Sequence, residues 1–200
     1  LPISNIDAND MTINSGYTLT INPGIEINLN GDLTVSSGSA IIIDGSSSGY
    51  GQLKLAGSIT NNGTISENQY ISSTGHHGIS SPMTGGFGTT SGTSSALYGY
   101  DAANGAYLSA ANTTVTTAGA GYFAPVGTSG YLTAAGTFSV TGTPNTSHTH
   151  SLGYATSVAT GGSGNGWNLI GNPYTCGIDW TGVTKTNVND AFYRSEEHTS

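Results

Sequence analysis

The chain has very few charged residues, which excludes several classes of partner. Charged residues make up 7% of its 200 residues, against about 25% in an average soluble domain. Only Lys54, Lys185 and Arg194 are basic, and the formal net charge is -8. Nucleic-acid binding needs clustered lysines and arginines that neutralise phosphate, and an anionic membrane surface needs positive charge as well. We therefore expect neither as a partner.

Cysteine and long apolar runs are also scarce. The single cysteine, Cys176, excludes an internal disulfide framework, although larger secreted β-proteins do without one. No apolar run approaches the roughly 20 residues of a membrane-spanning helix, so membrane insertion is not expected. Helical periodicity is nearly absent apart from a short turn near 176–182. These absences favour an all-β chain.

Residues 1–66 carry apolar residues in alternation, and each short run ends at a turn signal. The alternating pairs are Met11/Ile13, Leu19/Ile21, Ile27/Leu29, Leu33/Val35, Ile41/Ile43 and Leu53/Leu55. A period of two bounded by Gly, Asn and Pro predicts strands. Evenly repeated short strands predict a β-solenoid over 1–66, but their spacing does not fix its repeat length. A flat antiparallel meander is the alternative.

Residues 67–193 differ from residues 1–66 in composition and turn length, because tyrosines become frequent and the turns are longer. The predicted strands are 76–81, 96–101, 105–109, 120–126, 129–133, 136–141, 148–157 and 166–171. This pattern predicts a β-sandwich-like module after the solenoid.

The last seven residues, 194–200, change character abruptly. Arg194, Glu196 and Glu197 place three charges in a chain that otherwise has few. The string Arg-Ser-Glu-Glu-His-Thr-Ser resembles a translated sequencing adapter. We therefore predict that the tail is non-native, that the natural sequence departs from this one after Tyr193, and that the tail's acids and histidine are not site residues.

One motif in the second half is familiar. The run Gly-Trp-Asn-Leu-Ile-Gly-Asn-Pro-Tyr at 166–174, followed by Ile-Asp-Trp at 178–180, resembles a motif in large adhesin-like surface proteins exported by the type IX secretion system of Bacteroidetes. The motif residues are Trp167, Asn168, Gly171, Asn172, Pro173, Tyr174, Asp179 and Trp180. The resemblance covers about residues 55–193 and implies a secreted protein at the exterior of the outer membrane. Thr175 departs from it, because the family usually has proline there, as do His76 and Gly78, where aromatics are usual.

The chemistry of the motif residues favours a structural role. Trp167, Leu169 and Trp180 are expected to be buried, each contributing about 1.5–3 kcal/mol when fully buried. Pro173 ends a strand because it cannot donate to a ladder, and Asn172 can cap the resulting turn. None of these roles needs a substrate.

Two groups of side chains are weak candidates for metal binding. His148 and His150 would share one face of a strand at a spacing that suits a metal, but no third ligand is evident, and an exposed polar face is favoured. Asn5, Asp7, Asn9 and Asp10 are spaced loosely like a calcium loop, but the glycine and distal glutamate of an EF-hand are missing. We predict no cofactor and leave calcium open.

Catalytic patterns are weaker still. The glycine-rich run at 161–166 lacks the lysine of a phosphate loop, and the carboxylates are scattered rather than paired. Cys176 has no cation near it in sequence. We therefore expect no enzyme activity.

The leading hypothesis is a structural or adhesive module of a secreted bacterial cell-surface protein, with an extracellular glycan or surface as its partner. The alternative is a carbohydrate-binding accessory module of a secreted polysaccharide-degrading enzyme, in which exposed coplanar tyrosines would stack on sugars. A third interpretation is a degenerate polysaccharide lyase scaffold. It would line acids and a base along one face, and Lys54 is the only base in the solenoid part.

Overall fold

The computed structural model describes residues 5–84, 97–110, 117–127, 134–154, 166–189 and 192. The structure is all-β, as predicted, and its one helical element in these stretches is a 3-10 turn, Trp180–Gly182. No helix in the described part of the chain is long and apolar enough to span a membrane. The predicted strand 129–133, the tail 194–200 and all but the last residue of the glycine-rich run lie outside the described residues.

The first part of the chain forms eleven short strands. They are β1 (Asn5–Ala8), β2 (Met11–Ile13), β3 (Thr18–Ile21), β4 (Glu26–Leu29), β5 (Leu33–Val35), β6 (Ala40–Ile43), β7 (Gly45–Ser46), β8 (Gly49–Tyr50), β9 (Gln52–Leu55), β10 (Ile59–Asn61) and β11 (Thr64–Ile71). All six predicted apolar pairs lie in these strands. Gly16, Gly24 and Gly38 adopt positive φ in the intervening turns, a conformation that glycine tolerates best.

Three parallel sheets organise these strands. The first contains β1, β4 and β9, the second β2, β5 and β10, and the third β3, β6 and β11. The chain therefore visits the three sheets in turn, three times over, and contributes one strand to each sheet on each visit. We call each such round a pass. We call β1–β3 the first pass, β4–β6 the second and β9–β11 the third. In a meander, each strand pairs antiparallel with the next strand along the chain. Apart from the β7–β8 hairpin, the strands β1–β11 instead pair in parallel with strands of the neighbouring pass, so the antiparallel alternative is wrong for this segment.

The register gives the length of one pass. Between the first and second passes the offsets are 21 or 22 residues, with the pairs Asn5–Glu26, Met11–Leu33 and Thr18–Ala40. Between the second and third they are 26 or 24, with the pairs Glu26–Gln52, Leu33–Ile59 and Ala40–Thr64. The antiparallel hairpin β7–β8 lies in the longer interval.

The apolar side chains of these strands form columns inside the three sheets. Members at most 2% exposed are Ile21, Ile27, Leu29, Leu33, Val35, Ile41, Ile43, Leu53, Ile65 and Ile71. The same cluster continues into the second half through Val126, Phe138 and Val140. One column departs from the pattern, because Ile21 and Ile43 are followed in register by Glu67.

The second half adds seven strands. They are β12 (Gly75–Ile79), β13 (Met83–Thr84), β14 (Leu97–Asp101), β15 (Ala106–Ala110), β16 (Tyr122–Val126), β17 (Gly136–Thr141) and β18 (Thr143–Pro144). Four of them form an antiparallel sheet in the order β12-β16-β14-β15, and β13 pairs with β18. β17 pairs antiparallel with β11 and so extends the third parallel sheet. The predicted boundary between residues 66 and 67 falls inside β11.

Two predicted strands are wrong where the structure describes them. Residues 148–154 form no strand, and 166–171 contribute only an isolated bridge between Ile170 and Ala120. The Asn168 side chain explains part of the difference. It donates to the Gly153 carbonyl and accepts from the Gly153 N–H, both at 2.9 Å, so these two segments are joined by a side chain instead of a backbone ladder.

Candidate functional site

Residues 172–177, which we call the closing segment, lie along the outer edge of β9. The Leu53 N–H donates to the Thr175 carbonyl at 2.9 Å, and the Thr175 hydroxyl donates to the Leu53 carbonyl at 2.6 Å. The Gly177 N–H donates to Gln52 Oε1 at 2.9 Å. An edge strand presents unpaired backbone groups, and the closing segment satisfies those of Leu53 in the middle of β9.

Asn172 shapes the closing segment from within. Its Oδ1 accepts from the Tyr174 N–H at 2.9 Å, and its Nδ2 donates to the Cys176 carbonyl at 2.7 Å. Its own carbonyl accepts from the Ser80 hydroxyl at 3.1 Å. Asn145 Nδ2 donates to the Pro173 carbonyl at 2.9 Å. The closing segment is therefore fixed internally and tied to the second half of the chain.

The other two edges of the third pass are covered as well. β17 pairs along β11. At β10, Asn61 Nδ2 makes long hydrogen bonds of 3.4 Å to the Gly142 carbonyl and the Thr143 hydroxyl. The second half of the chain thus closes this end of the three sheets.

A cleft of about 440 Å³, which we call the seam cleft, lies between the closing segment and the third pass. Its lining includes Tyr50, Gln52, Glu67, Gln69, Asn172 and Tyr174. Most of these polar groups already bind the protein. The Tyr50 hydroxyl donates to the Tyr70 carbonyl at 2.8 Å, and Gln69 Nε2 donates to the Ser80 carbonyl at 3.1 Å. The cleft therefore has few polar groups left to offer a ligand.

Glu67 is the exception in the seam cleft. Its Oε1 accepts from Gln69 Nε2 at 3.1 Å, whereas its buried Oε2 has no hydrogen-bond partner among the described residues. Burial raises the pKa of Glu67 to about 7, against a smaller lowering by the Gln69 hydrogen bond. An uncharged carboxyl suits this apolar column better than a carboxylate does.

Cys176 also borders the seam cleft and is half-buried. Burial raises the pKa of its thiol; the Lys54 charge lowers it, and the Glu26 and Glu67 carboxylates raise it. A raised pKa disfavours the thiolate, which is the reactive form of cysteine. This environment is that of an inert thiol.

Comparison with known proteins places the chain in a family. Residues 2–197 match the model of a domain of unknown function, DUF8693. The chain belongs to the DUF8693 family. No curated protein and no solved structure matches it.

The two motif tryptophans differ in this DUF8693 domain. Trp167 is 51% exposed, so the prediction that it is buried is wrong. Trp180 is half-buried. Its ring lies 5.1 Å from that of Phe192, and Lys185 Nζ lies 5.0 Å over it. Asp179 caps the 3-10 turn by accepting from the Thr181 N–H at 2.9 Å. Trp167 lies in a segment, 166–171, that contributes an isolated bridge instead of a strand, and this accounts for its exposure.

The histidine pair of the DUF8693 domain lies close together, but outside a strand. The rings of His148 and His150 are 6.0 Å apart. Burial lowers the pKa of His150, a backbone hydrogen bond at Ala118 raises it, and His148 lowers it. Within the described residues no group of three or more His, Cys, Asp or Glu side chains could hold a metal ion.

The acidic residues near the N-terminus make contacts between passes. Asn28 Nδ2 donates to Asp7 Oδ1 at 3.0 Å, and the Asp32 N–H donates to Asp10 Oδ1 at 2.7 Å. Sequence reasoning missed this role, because the partners lie 21 and 22 residues away. Asp7 and Lys54 share one column, with Asn28 between them. An acid and a base therefore do lie on one face, but the Asp7 carboxylate is engaged by Asn28.

The packed rings of Tyr100, Tyr107 and Phe123, all within the described residues, do not have the coplanar arrangement expected of a sugar platform. Tyr100 and Tyr107 meet at 64°, and Tyr107 and Phe123 at 66°. Edge-to-face geometry is typical of aromatic packing. A second cleft, of about 400 Å³, lies beside Tyr100, Tyr122 and His150.

Proposed function

We propose that this chain is a structural and adhesive module of a secreted bacterial cell-surface protein, without catalysis of its own. In this proposal the three passes form a short β-solenoid, and the second half forms a β-sandwich-like module that closes it. The unit belongs to a longer polypeptide exported in the manner of type IX secretion cargo and displayed outside the outer membrane.

The closing segment carries this proposal. Thr175 and Asn172 direct their polar side-chain atoms to the backbone of the protein itself. A binding motif would leave such atoms open to a ligand, because recognition depends on a few convergent polar groups. The motif therefore supports closure of a repetitive stack, the role of the terminal caps that repeat proteins require.

The outer surface of the passes supports display outside the cell. Thr12, Thr34 and Thr60 stack in register on one outward column of the second sheet. Hydroxyl and amide groups, instead of salt bridges, keep such a surface hydrated. A surface of this kind is common in secreted β-proteins, and the low content of charged residues in this chain agrees with it.

Protease shaving of intact cells that make the parent polypeptide tests the location. We expect proteinase K to release peptides of residues 5–84 from intact cells as efficiently as from permeabilised ones; trypsin is unsuitable because Lys54 is the only lysine or arginine in this range. An abundant cytoplasmic protein of the same cells is the control, and it should be cut only after permeabilisation. Release of this chain only after permeabilisation would reject the proposal.

Glycan binding is the second candidate function, and one observation favours it. Tyr50 is 49% exposed at the seam cleft, and an exposed aromatic ring offers an apolar face on which a sugar can stack. Affinity electrophoresis in gels containing hydroxyethylcellulose, xylan or laminarin tests it. Retardation that Tyr50→Ala abolishes and Tyr17→Ala preserves would support glycan binding, and migration unaffected by all three polysaccharides would reject it.

A further inference from the structure

The two ends of the three-sheet segment are not equivalent. At one end, the second half of the chain covers β9, β10 and β11. At the other end, β1, β2 and β3 are each the outermost strand of their sheet. Among the described residues no strand pairs with their outer edges, so three edges face the same way.

The apolar core is open at this same end. Ile6 is 37% exposed, although its partners in the column, Ile27 and Leu53, are 2% and 1% exposed. Leu19 is half-buried, whereas the next member of its column, Ile41, is fully buried. Ile21 is covered, at 1% exposed, but Ile6 and Leu19 lack a complete layer above them among the described residues.

A ladder of backbone-to-carboxylate hydrogen bonds runs along one corner of the passes. The Ser58 N–H donates to Asp32 Oδ1 at 2.9 Å, and the Asp32 N–H donates to Asp10 Oδ1 at 2.7 Å. Each residue comes just before a strand of the second sheet, so the three positions are equivalent. The next donor in the series is the Asp10 N–H, for which no described residue is an acceptor.

The glycines at this corner show how closely the passes approach. A Cβ on Gly57 would lie 2.2 Å from the Gly31 carbonyl oxygen, and a Cβ on Gly31 would lie 2.7 Å from the Asn9 carbonyl oxygen. Glycine at this corner therefore allows the backbone of each pass to approach that of the pass before it closely. Nothing in its geometry ends the series at Asp10.

We infer that the outer edge of the first pass is an interaction surface for one further parallel pass, supplied by the longer polypeptide ahead of residue 1. The incoming pass carries apolar residues above Ile6, Met11 and Leu19, and a carboxylate or amide oxygen that accepts from the Asp10 N–H. A parallel pass is the favoured occupant, because β1, β2 and β3 each pair in parallel on their inner side and present the same pattern of backbone groups outward. A second copy packed head to head would instead bring Asp7 and Asp10 of both molecules together, and like charges repel.

The test adds the missing pass. A copy of residues 5–25, with the copied Asp7 changed to asparagine so that Asp7 again faces an amide as it does at Asn28, is inserted directly before Asn5 of the full chain. It can then stack on the first pass at the observed offset of 21 residues. We expect the thermal midpoint to rise by at least about 4 °C and the amides of β1–β3 to exchange at least about tenfold more slowly. The matched control carries the same insert with the copied Ile6, Met11, Ile13 and Leu19 changed to serine, and should gain neither.

A second variant tests the ladder. With the copied Asp10 changed to alanine, we expect the gain in protection to be lost at the amide of the original Asp10 and largely kept in β1–β3. The inference is overturned if the insert changes neither the midpoint nor the exchange, or if the 200-residue chain is already a dimer with β1–β3 as protected as β4–β6. The inference rests on the proposed solenoid but not on surface display. Protease shaving can reject surface display while the insert still stabilises the chain. Conversely, the insert can have no effect while the amides of the three passes stay protected, which would reject the further pass and leave the solenoid standing.

Discussion

Glu67 is a carboxyl residue in a column whose other members, Ile21 and Ile43, are apolar and face the core. Isoleucine occupies the two preceding positions, and the antiparallel neighbour of Glu67 is the fully buried Val140. Burying a carboxylate with an unpartnered oxygen is costly, so the group takes up a proton instead. The seam cleft is therefore the place where solution pH acts on the fold.

Stability should fall as pH rises through neutrality because of Glu67. Its pKa is about 7 in the folded protein, against an ordinary value of 4.5 for glutamate. The folded state thus binds the proton more tightly, and the resulting stability is complete below about 4.5 and lost as pH rises through about 7, by up to about 3 kcal/mol. Urea unfolding across this range should show the decline in the wild type but a flatter profile in Glu67→Gln. Glu26→Gln is the control and should keep the wild-type slope; equal slopes in all three proteins would contradict this account.

Gly57 should not tolerate a side chain. The Cβ of Gly57→Ala would lie 2.2 Å from the Gly31 carbonyl oxygen and 2.8 Å from Asp32 Oδ1, so adjacent passes would have to move apart. We expect a loss of at least about 2 kcal/mol in the free energy of unfolding. Gly182→Ala, whose Cβ would come no nearer than 4.0 Å to another group, is the matched control. Equal unfolding midpoints for the two variants would show that the passes are not packed this closely.

At the scale of elements, the sequence predicted the strands of the first half but not how they are grouped. Alternation located β2 to β6 and β9, because one inward face repeats every second residue. The pass length escaped prediction because three strands make one pass and the β7–β8 hairpin lengthens one interval. Once the strands are grouped in threes, the starts of the second sheet, at residues 11, 33 and 59, reveal the repeat.

The second half was harder to predict for a physical reason. Residues 148–154 and 166–171 contain strand-forming residues, but side chains and close glycine contacts hold them in place. A Cβ on Gly171 would lie 2.2 Å from that of Ser80, and one on Gly121 would lie 2.8 Å from the Ile170 carbonyl oxygen. Such approaches depend on tertiary packing and leave no periodic signal. Alternation alone therefore overestimated the strand content there.

Thr175 supplies a side-chain hydrogen bond from the closing segment to the backbone of β9. Thr175→Val keeps the shape but leaves the Leu53 carbonyl without its hydroxyl donor, in a buried setting. We expect a loss of about 1–3 kcal/mol in the free energy of unfolding by urea. Thr175→Ser keeps the hydroxyl and should recover most of that loss. A valine variant as stable as the wild type would mean that this bond adds little to closure.

At the scale of the whole molecule, one apolar cluster joins the two halves. Ile71 and Phe138 belong to the same buried cluster as Ile27 and Leu33, so the second half covers the passes and shares their core. This arrangement explains why the motif residues contact the first half. It also explains why sequence reasoning, which treated the halves separately, identified the motif but not the strand that it closes.

The exchange rate of the Leu53 amide tests closure most directly. Leu53 lies on the last strand of the first sheet, and its N–H is bonded to the Thr175 carbonyl. Leu33, whose N–H donates to Ser58 within the passes, is the internal reference. Residue-resolved hydrogen exchange by NMR should show Leu53 protected to within about tenfold of Leu33. A Leu53 amide that exchanges like an open edge while Leu33 stays protected would contradict closure of the passes by the motif, and with it the structural role proposed for this chain.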